Sequence, residues 1–148
     1  MKENIFMKAA LEQAKLAFAK DEVPVGAVIV CDGKIIASAF NQNIALNDPT
    51  AHAEILALRQ AAKTKDSARL DDCDLYVTLE PCAMCAAAIS WSKIKRIYYA
   101  ASDEKFGAIE SQSSIFHSSS AYFKPEIYSG ISEIEAKKLL QDFFKLKR

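Results

Sequence analysis

Two short segments carry side chains that could do chemistry together, His52-Ala53-Glu54 and Pro81-Cys82-Ala83-Met84-Cys85. Cys82 and Cys85 are three positions apart, so on a helix both thiols occupy one face. Each segment reads as a helix start. The positive potential at a helix amino end lowers a thiol pKa and favours thiolate, the form that binds metal. One neutral imidazole and two thiolates are three ligands of the kind zinc takes, and the fourth tetrahedral position stays free, as in a catalytic centre. His52 and Glu54 stand about 200° apart around a helix wall and cannot share a lateral face. In the first turn, however, both can lean toward the helix end, with His52 as ligand and Glu54 as a carboxylate behind it. A dication with two thiolates and a neutral imidazole carries no net charge. Zinc lowers the pKa of its water toward about 7, and a nearby carboxylate can take that proton. In a structural site closed by Cys31, Cys73 or His117, Glu54 would have no role. Cys31 and Cys73 read instead as small buried apolar residues, and His117 as solvent-facing.

The elements that must position these groups follow from patterning and punctuation. Residues 2–19 carry Phe6, Ala10, Ala14 and Ala17 at helical spacing. Val25–Val30 is β-rich and nearly all apolar, as in a central strand. Asp32-Gly33 between it and Ile35–Phe40 is a hairpin signal. Asp48-Pro49 reads as a helix start with a capping Asp and Pro at the first helical position, followed by a stripe of Ala51, Ile55, Leu58 and Ala62. Leu75–Leu79 is a strand, Pro81 opens a helix to about Ser90, and Arg96–Ala100 is a further strand. Ser102–Phe123 is Ser-rich and reads mostly as loop, and Glu126–Ser129 as a short strand. Ser132-x-x-Glu135 reads as a capping box before a helix with Ala136, Leu139, Leu140 and Phe143 inward. The order α-β-β-α-β-α-β-loop-β-α predicts one α/β domain over residues 1–148, a mixed sheet flanked by helices.

Composition bounds the partners. The 148 residues are 51% hydrophobic and 26% charged, an ordinary globular balance. Lys plus Arg and Asp plus Glu both number 19, which excludes a strongly basic nucleic-acid binder and leaves any RNA contact to a local patch. The longest nearly apolar stretch, Val23–Cys31, falls far short of the roughly twenty residues a membrane span needs. Charges interrupt the first fifteen residues, so no signal-peptide core is expected. A cytoplasmic protein with reduced cysteines is the expectation.

The spacing H-x-E…P-C-x-x-C resembles that of zinc-dependent nucleobase deaminases. Val23-Pro24-Val25-Gly26-Ala27-Val28, Asn47-Asp48-Pro49-Thr50-Ala51-His52-Ala53-Glu54-Ile55, Tyr76–Ala86, and Gly130 with the helix closing on Phe143-Phe144 are all similar to bacterial tRNA-specific adenosine deaminases. The likeness runs from the first helix to the last. It implies a cytidine-deaminase-like three-layer sandwich, one zinc ion per subunit on His52, Cys82 and Cys85, and Glu54 as proton shuttle. It further implies attack of zinc-bound hydroxide on carbon 6 of the wobble adenosine in a tRNA anticodon, leaving inosine and ammonia. By the same resemblance Asn41 hydrogen-bonds the purine edge. Val25, Leu79 and the backbone around Ala53 wall the pocket, Asp103 lies beside the substrate backbone, and the chain is a homodimer.

The chain departs from that family in Phe106-Gly107-Ala108 after Asp103, in Tyr122-Phe123-Lys124-Pro125, and in the Ser-rich stretch 111–120. Because substrate loops differ, a small-molecule zinc deaminase acting on guanine, cytosine or a related base or nucleoside is the alternative. A non-catalytic zinc protein binding RNA or a partner is a third class, against which Glu54 speaks. Lys93, Lys95 and Arg96 beside Trp91, and Lys145, Lys147 and Arg148, are the local basic groups that could meet an anticodon stem. Trp91 and Phe143-Phe144 read as packing residues, and Glu80 as a charge placed favourably at a helix amino end.

Overall fold

A computed structural model describes residues 4–119 and 121–147. The start of the expected first helix, Ser120 and Arg148 lie outside the described residues. The elements are α1 (Ile5–Ala19), β1 (Gly26–Cys31), β2 (Lys34–Phe40), α2 (Ala53–Lys65), β3 (Cys73–Leu79), α3 (Ala83–Ser92), β4 (Arg96–Ala101), β5 (Glu126–Ser129) and α4 (Glu133–Leu146). Their order is the one the sequence predicts. A single 3₁₀ turn, Ile115–His117, interrupts the Ser-rich loop, and His117 is exposed as expected.

The sheet runs β2-β1-β3-β4-β5. β1 pairs antiparallel with both β2 and β3, whereas β3, β4 and β5 are mutually parallel. The β1–β2 turn is built on Asp32 and Gly33, with φ 51° and 73°, the left-handed pair a tight hairpin requires. Alternation along the strands divides the core in two. Ala27, Ile29, Leu75, Val77, Ile97 and Tyr99 face α2 and α3. Val28, Val30, Tyr76 and Ala100 face α1 and α4. Helices on both faces of one mixed sheet make the expected three-layer α/β sandwich.

Two local contacts fix the layer spacing. Gly26 opens β1 where α1 presses hardest, and a Cβ there would stand 2.0 Å from the Ala10 carbonyl oxygen. On the same face Tyr76, Tyr98 and Tyr128 occupy adjoining register positions, and their rings stack at 4.3 and 4.9 Å. That ladder holds the four-residue β5 to the sheet.

Two helix starts and one cap differ from the sequence reading. α2 begins at Ala53, because the Asp48 carboxylate accepts from the Thr50 amide (2.8 Å) and hydroxyl (2.7 Å) and so closes a turn. α3 begins at Ala83, with Cys82 rather than a residue before Pro81 at its cap. Ser132 adopts a left-handed conformation, φ 59°, and its hydroxyl does not cap α4, so the expected capping box does not form.

Candidate active site

The amino ends of α2 and α3 converge outside the carboxyl end of β3. His52 caps α2 and Cys82 caps α3, both with extended backbone, and neither side chain bonds its own helix amides. Both are turned toward each other instead. His52 Nδ1 lies 3.7 Å from Cys82 Sγ and 3.5 Å from Cys85 Sγ. Tetrahedral zinc with ordinary Zn–N and Zn–S bonds separates such atoms by about 3.5 Å. The donor set therefore fits zinc in both identity and spacing, and all three ligand atoms lie within 4.8 Å of one another.

A cap without its usual side-chain acceptor leaves helix amides open, and a distant residue supplies it. Asn41, just past β2, accepts from the Ala53 amide at 2.9 Å through Oδ1. The residue expected to read the purine edge thus also fixes the turn carrying His52. The Ala53 side chain is fully buried and its amide is taken by Asn41, while its neighbours His52 and Glu54 line the pocket.

Electrostatics divides the groups. Hydrogen bonding from Cys85 and His52 holds the Cys82 thiol down at about 4. The Cys82 sulfur, followed by burial, pushes Cys85 up, and the bond to Cys82 raises His52. Taken alone the sulfurs share one proton; a bound dication removes it from both. Glu54 is 4% exposed, and burial pushes its carboxyl up to about 7. It stands in the first turn of α2, and its carboxyl shares a hydrogen bond with the Cys85 thiol.

The site opens into a cleft of about 1530 Å³ lined by Val25, Asn41, Leu79, Asp103 and Phe106, with Phe143 and Phe144 from α4 on another side. Asp103 Oδ1 accepts from the Lys105 and Phe106 amides at 3.1 and 3.0 Å, so this carboxylate shapes the rim turn. Sequence reasoning missed the group behind that turn. Glu80, 2% exposed, receives the amides of Asp103, Ile109, Glu110 and Ser111 at 2.9–3.1 Å and the Ser111 hydroxyl at 2.5 Å. Gly107 is the close approach this needs, since a Cβ would lie 2.4 Å from Glu80 Cδ. Buried Glu22 does the same on the other rim, accepting from the Ile44 and Ala45 amides at 3.1 and 2.8 Å. Glu80 was marked in the sequence only as an acid between Leu79 and Pro81, and Glu22, beside Asp21, not even by that.

The basic groups are partly committed. Arg96 pairs with Glu126 at 2.8 Å and Asp74 at 3.3 Å, and Lys147 pairs with Asp21. Lys93 lies 5.0 Å over the Tyr122 ring, which stacks on Trp91. Phe143 is buried against Phe18, whereas Phe144 is half exposed.

The profile of the cytidine and deoxycytidylate deaminase zinc-binding region matches residues 1–101. A tRNA-specific adenosine deaminase of Agrobacterium fabrum is 50% identical over 143 residues, 97% of this chain and 94% of its own length. The chain belongs to the tRNA-specific adenosine deaminase family of zinc-dependent deaminases. A solved structure from work on A-to-I editing by tRNA:A34 deaminases at the wobble position superposes on this deaminase with a TM-score of 0.91 at 49% identity, covering 92% of this chain and 99% of the other. The guanine deaminase of Bacillus subtilis is also similar, with a TM-score of 0.66 and 47% identity, but over 69% of this chain and 66% of its own. The deaminase is thus a zinc-dependent hydrolase, and His52, Cys82 and Cys85 are the residues whose geometry can hold the ion.

Proposed function

We propose that this chain, acting as one deaminase domain over residues 1–148, converts the wobble adenosine of a tRNA anticodon to inosine, with water consumed and ammonia released. The observation that carries the reading is the likeness, along nearly the whole of both chains, to a tRNA:A34 deaminase. The cleft supports it, because about 1530 Å³ exceeds the roughly 300–1,000 Å³ of small-molecule sites and leaves room for flanking nucleotides.

In this reading His52, Cys82 and Cys85 hold zinc, which when bound lowers the pKa of a water toward neutrality. Glu54 would take one proton from the attacking water to ring nitrogen 1, then take the second from the newly formed 6-hydroxyl and pass it to the departing 6-amino group. Its burial suits both halves of the task, since a carboxyl titrating near neutrality gives and takes a proton at similar cost. Asn41 meets the purine edge while its Oδ1 holds the Ala53 amide. Val25 and Leu79 pack the base, and Asp103 lies beside the substrate backbone.

The molecule works as a homodimer in the cytoplasm in this reading. Trp91 and Tyr122, stacked and 67% and 56% exposed, offer apolar surface that a second copy can cover. Among the described residues no helix is long and apolar enough to cross a membrane.

The deciding experiment gives the zinc-loaded protein an anticodon stem-loop with adenosine at the wobble position, and separately free guanine, cytosine and adenosine. Inosine in the stem-loop is expected. Turnover of a free base with none in the RNA would transfer the assignment to the small-molecule deaminases.

A further inference from the structure

The amino end of α2 carries the active site, and its carboxyl end, about 20 Å away, carries a second group of sulfurs. Cys31 ends β1 and Cys73 begins β3, and the two are partners in the antiparallel register. Cys73 gives its amide to the Leu70 carbonyl (3.0 Å), and its own carbonyl accepts from the Lys95 amide (2.9 Å). The pair is therefore a non-hydrogen-bonded one, in which Cα atoms approach to about 4.5 Å and side chains come closest. Disulfides need a Cα separation of roughly 4.4–6.8 Å, so no strand has to move to join them.

The side chains are already assembled. Cys31 Sγ lies 3.2 Å from Asp72 Oδ2, and Cys73 Sγ lies 3.5 Å from Oδ1. Both sulfurs fall within 4.8 Å of each other. Lys65 Nζ, from the last turn of α2, is 3.4 Å from Cys31 Sγ and closes an ion pair on Asp72. Cys31 is half-buried, whereas Cys73 is fully buried. The donors Cys31, Asp72 and Cys73 also have the chemistry of a metal trio, but the Lys65 ammonium already supplies their positive charge. The Cys31 sulfur thus faces an ammonium that donates to it and a carboxylate that accepts from it.

We propose that Cys31 and Cys73 form a site of reversible oxidation, closing a cross-strand disulfide in response to hydroperoxides. The Cys31 thiolate attacks a peroxide oxygen, the O–O bond breaks, and the leaving hydroxide takes up the thiol proton as water. The Cys73 thiol then attacks the Cys31 sulfenic sulfur. The S–O bond breaks, the S–S bond forms, and a second water leaves. Two thiols lose two electrons to one peroxide. A dithiol reductant reverses the change. In a reducing compartment such a bond is transient, as redox-sensing disulfides are.

The test treats the zinc-loaded protein with hydrogen peroxide, blocks remaining thiols with a maleimide, and reads intact mass and peptide maps. The expected product is lighter by two hydrogens, contains a Cys31–Cys73 linked peptide, and reverts with dithiothreitol. Cys31→Ala should lose the link, and Lys65→Met, which removes the ammonium holding Cys31 and Asp72 together, should slow its formation severalfold. Linkage confined to Cys82 and Cys85, or Cys31 gaining two oxygens without cross-linking, would overturn the proposal. So would a second equivalent of zinc in the untreated protein that Cys31→Ala loses, since the cluster would then be a metal site.

Discussion

Glu54 is a carboxylate held almost out of water, an arrangement that costs stability and is kept where a proton must move. Glu54→Gln preserves its shape and removes the titration. Turnover should fall by about 10³-fold or more, with zinc content by elemental analysis unchanged. A variant that kept its rate would remove Glu54 from the reaction. A second prediction concerns Asp72, whose carboxyl the Lys65 ammonium, followed by the Cys31 thiol, holds at about 2 against an ordinary 3.8. A carboxyl depressed in the folded chain stabilises it fully above its ordinary pKa and loses that contribution as pH falls through the folded value. Asp72→Asn should therefore flatten the stability curve between about pH 4 and pH 2, read by denaturant titration at each pH.

At the scale of elements, the catalytic motif was legible because its spacing is local. The sheet was legible because strands and helices announce themselves by period. The helix caps were not. Asp48-Pro49 has the residue types of a helix start, yet Asp48 closes a turn on Thr50. The true cap of α2 is a histidine whose ring faces two sulfurs, and its missing acceptor comes from Asn41, twelve positions away in the chain. Local rules fail where side chains are diverted to chemistry. Glu80 escaped for a related reason, since its partners lie 23 to 31 positions further on. In Glu80→Gln an amide group would face amides that now meet an oxygen. We expect a loss of about 2 kcal/mol, with faster hydrogen exchange confined at first to residues 103–111 and a lower kcat/KM. Unchanged exchange there would show that the loop holds itself.

For the molecule as a whole, equal numbers of acidic and basic residues and the pairing of Arg96 and Lys147 limit the field that phosphates would feel. Shape then has to carry more of substrate recognition than charge. Zinc binds the two halves of the site together, so its removal should be felt globally. Chelation at neutral pH should lower the melting midpoint by about 10 °C or more, at roughly 2–4 °C per kcal/mol, recovered on adding back the ion. A midpoint indifferent to chelator would mean that the packed sheet alone carries the fold.

His52 stands thirty positions before its nearer sulfur partner, with β3 and the packing of two helices lying between them in the chain. No fragment holding only one of these segments can assemble the centre, and nascent chain emerging as far as α2 supplies only one of its three ligands, the His52 imidazole. Metal capture therefore waits for the long-range strand pairings, and the rate at which a refolding chain takes up zinc becomes a clock for the completion of its sheet.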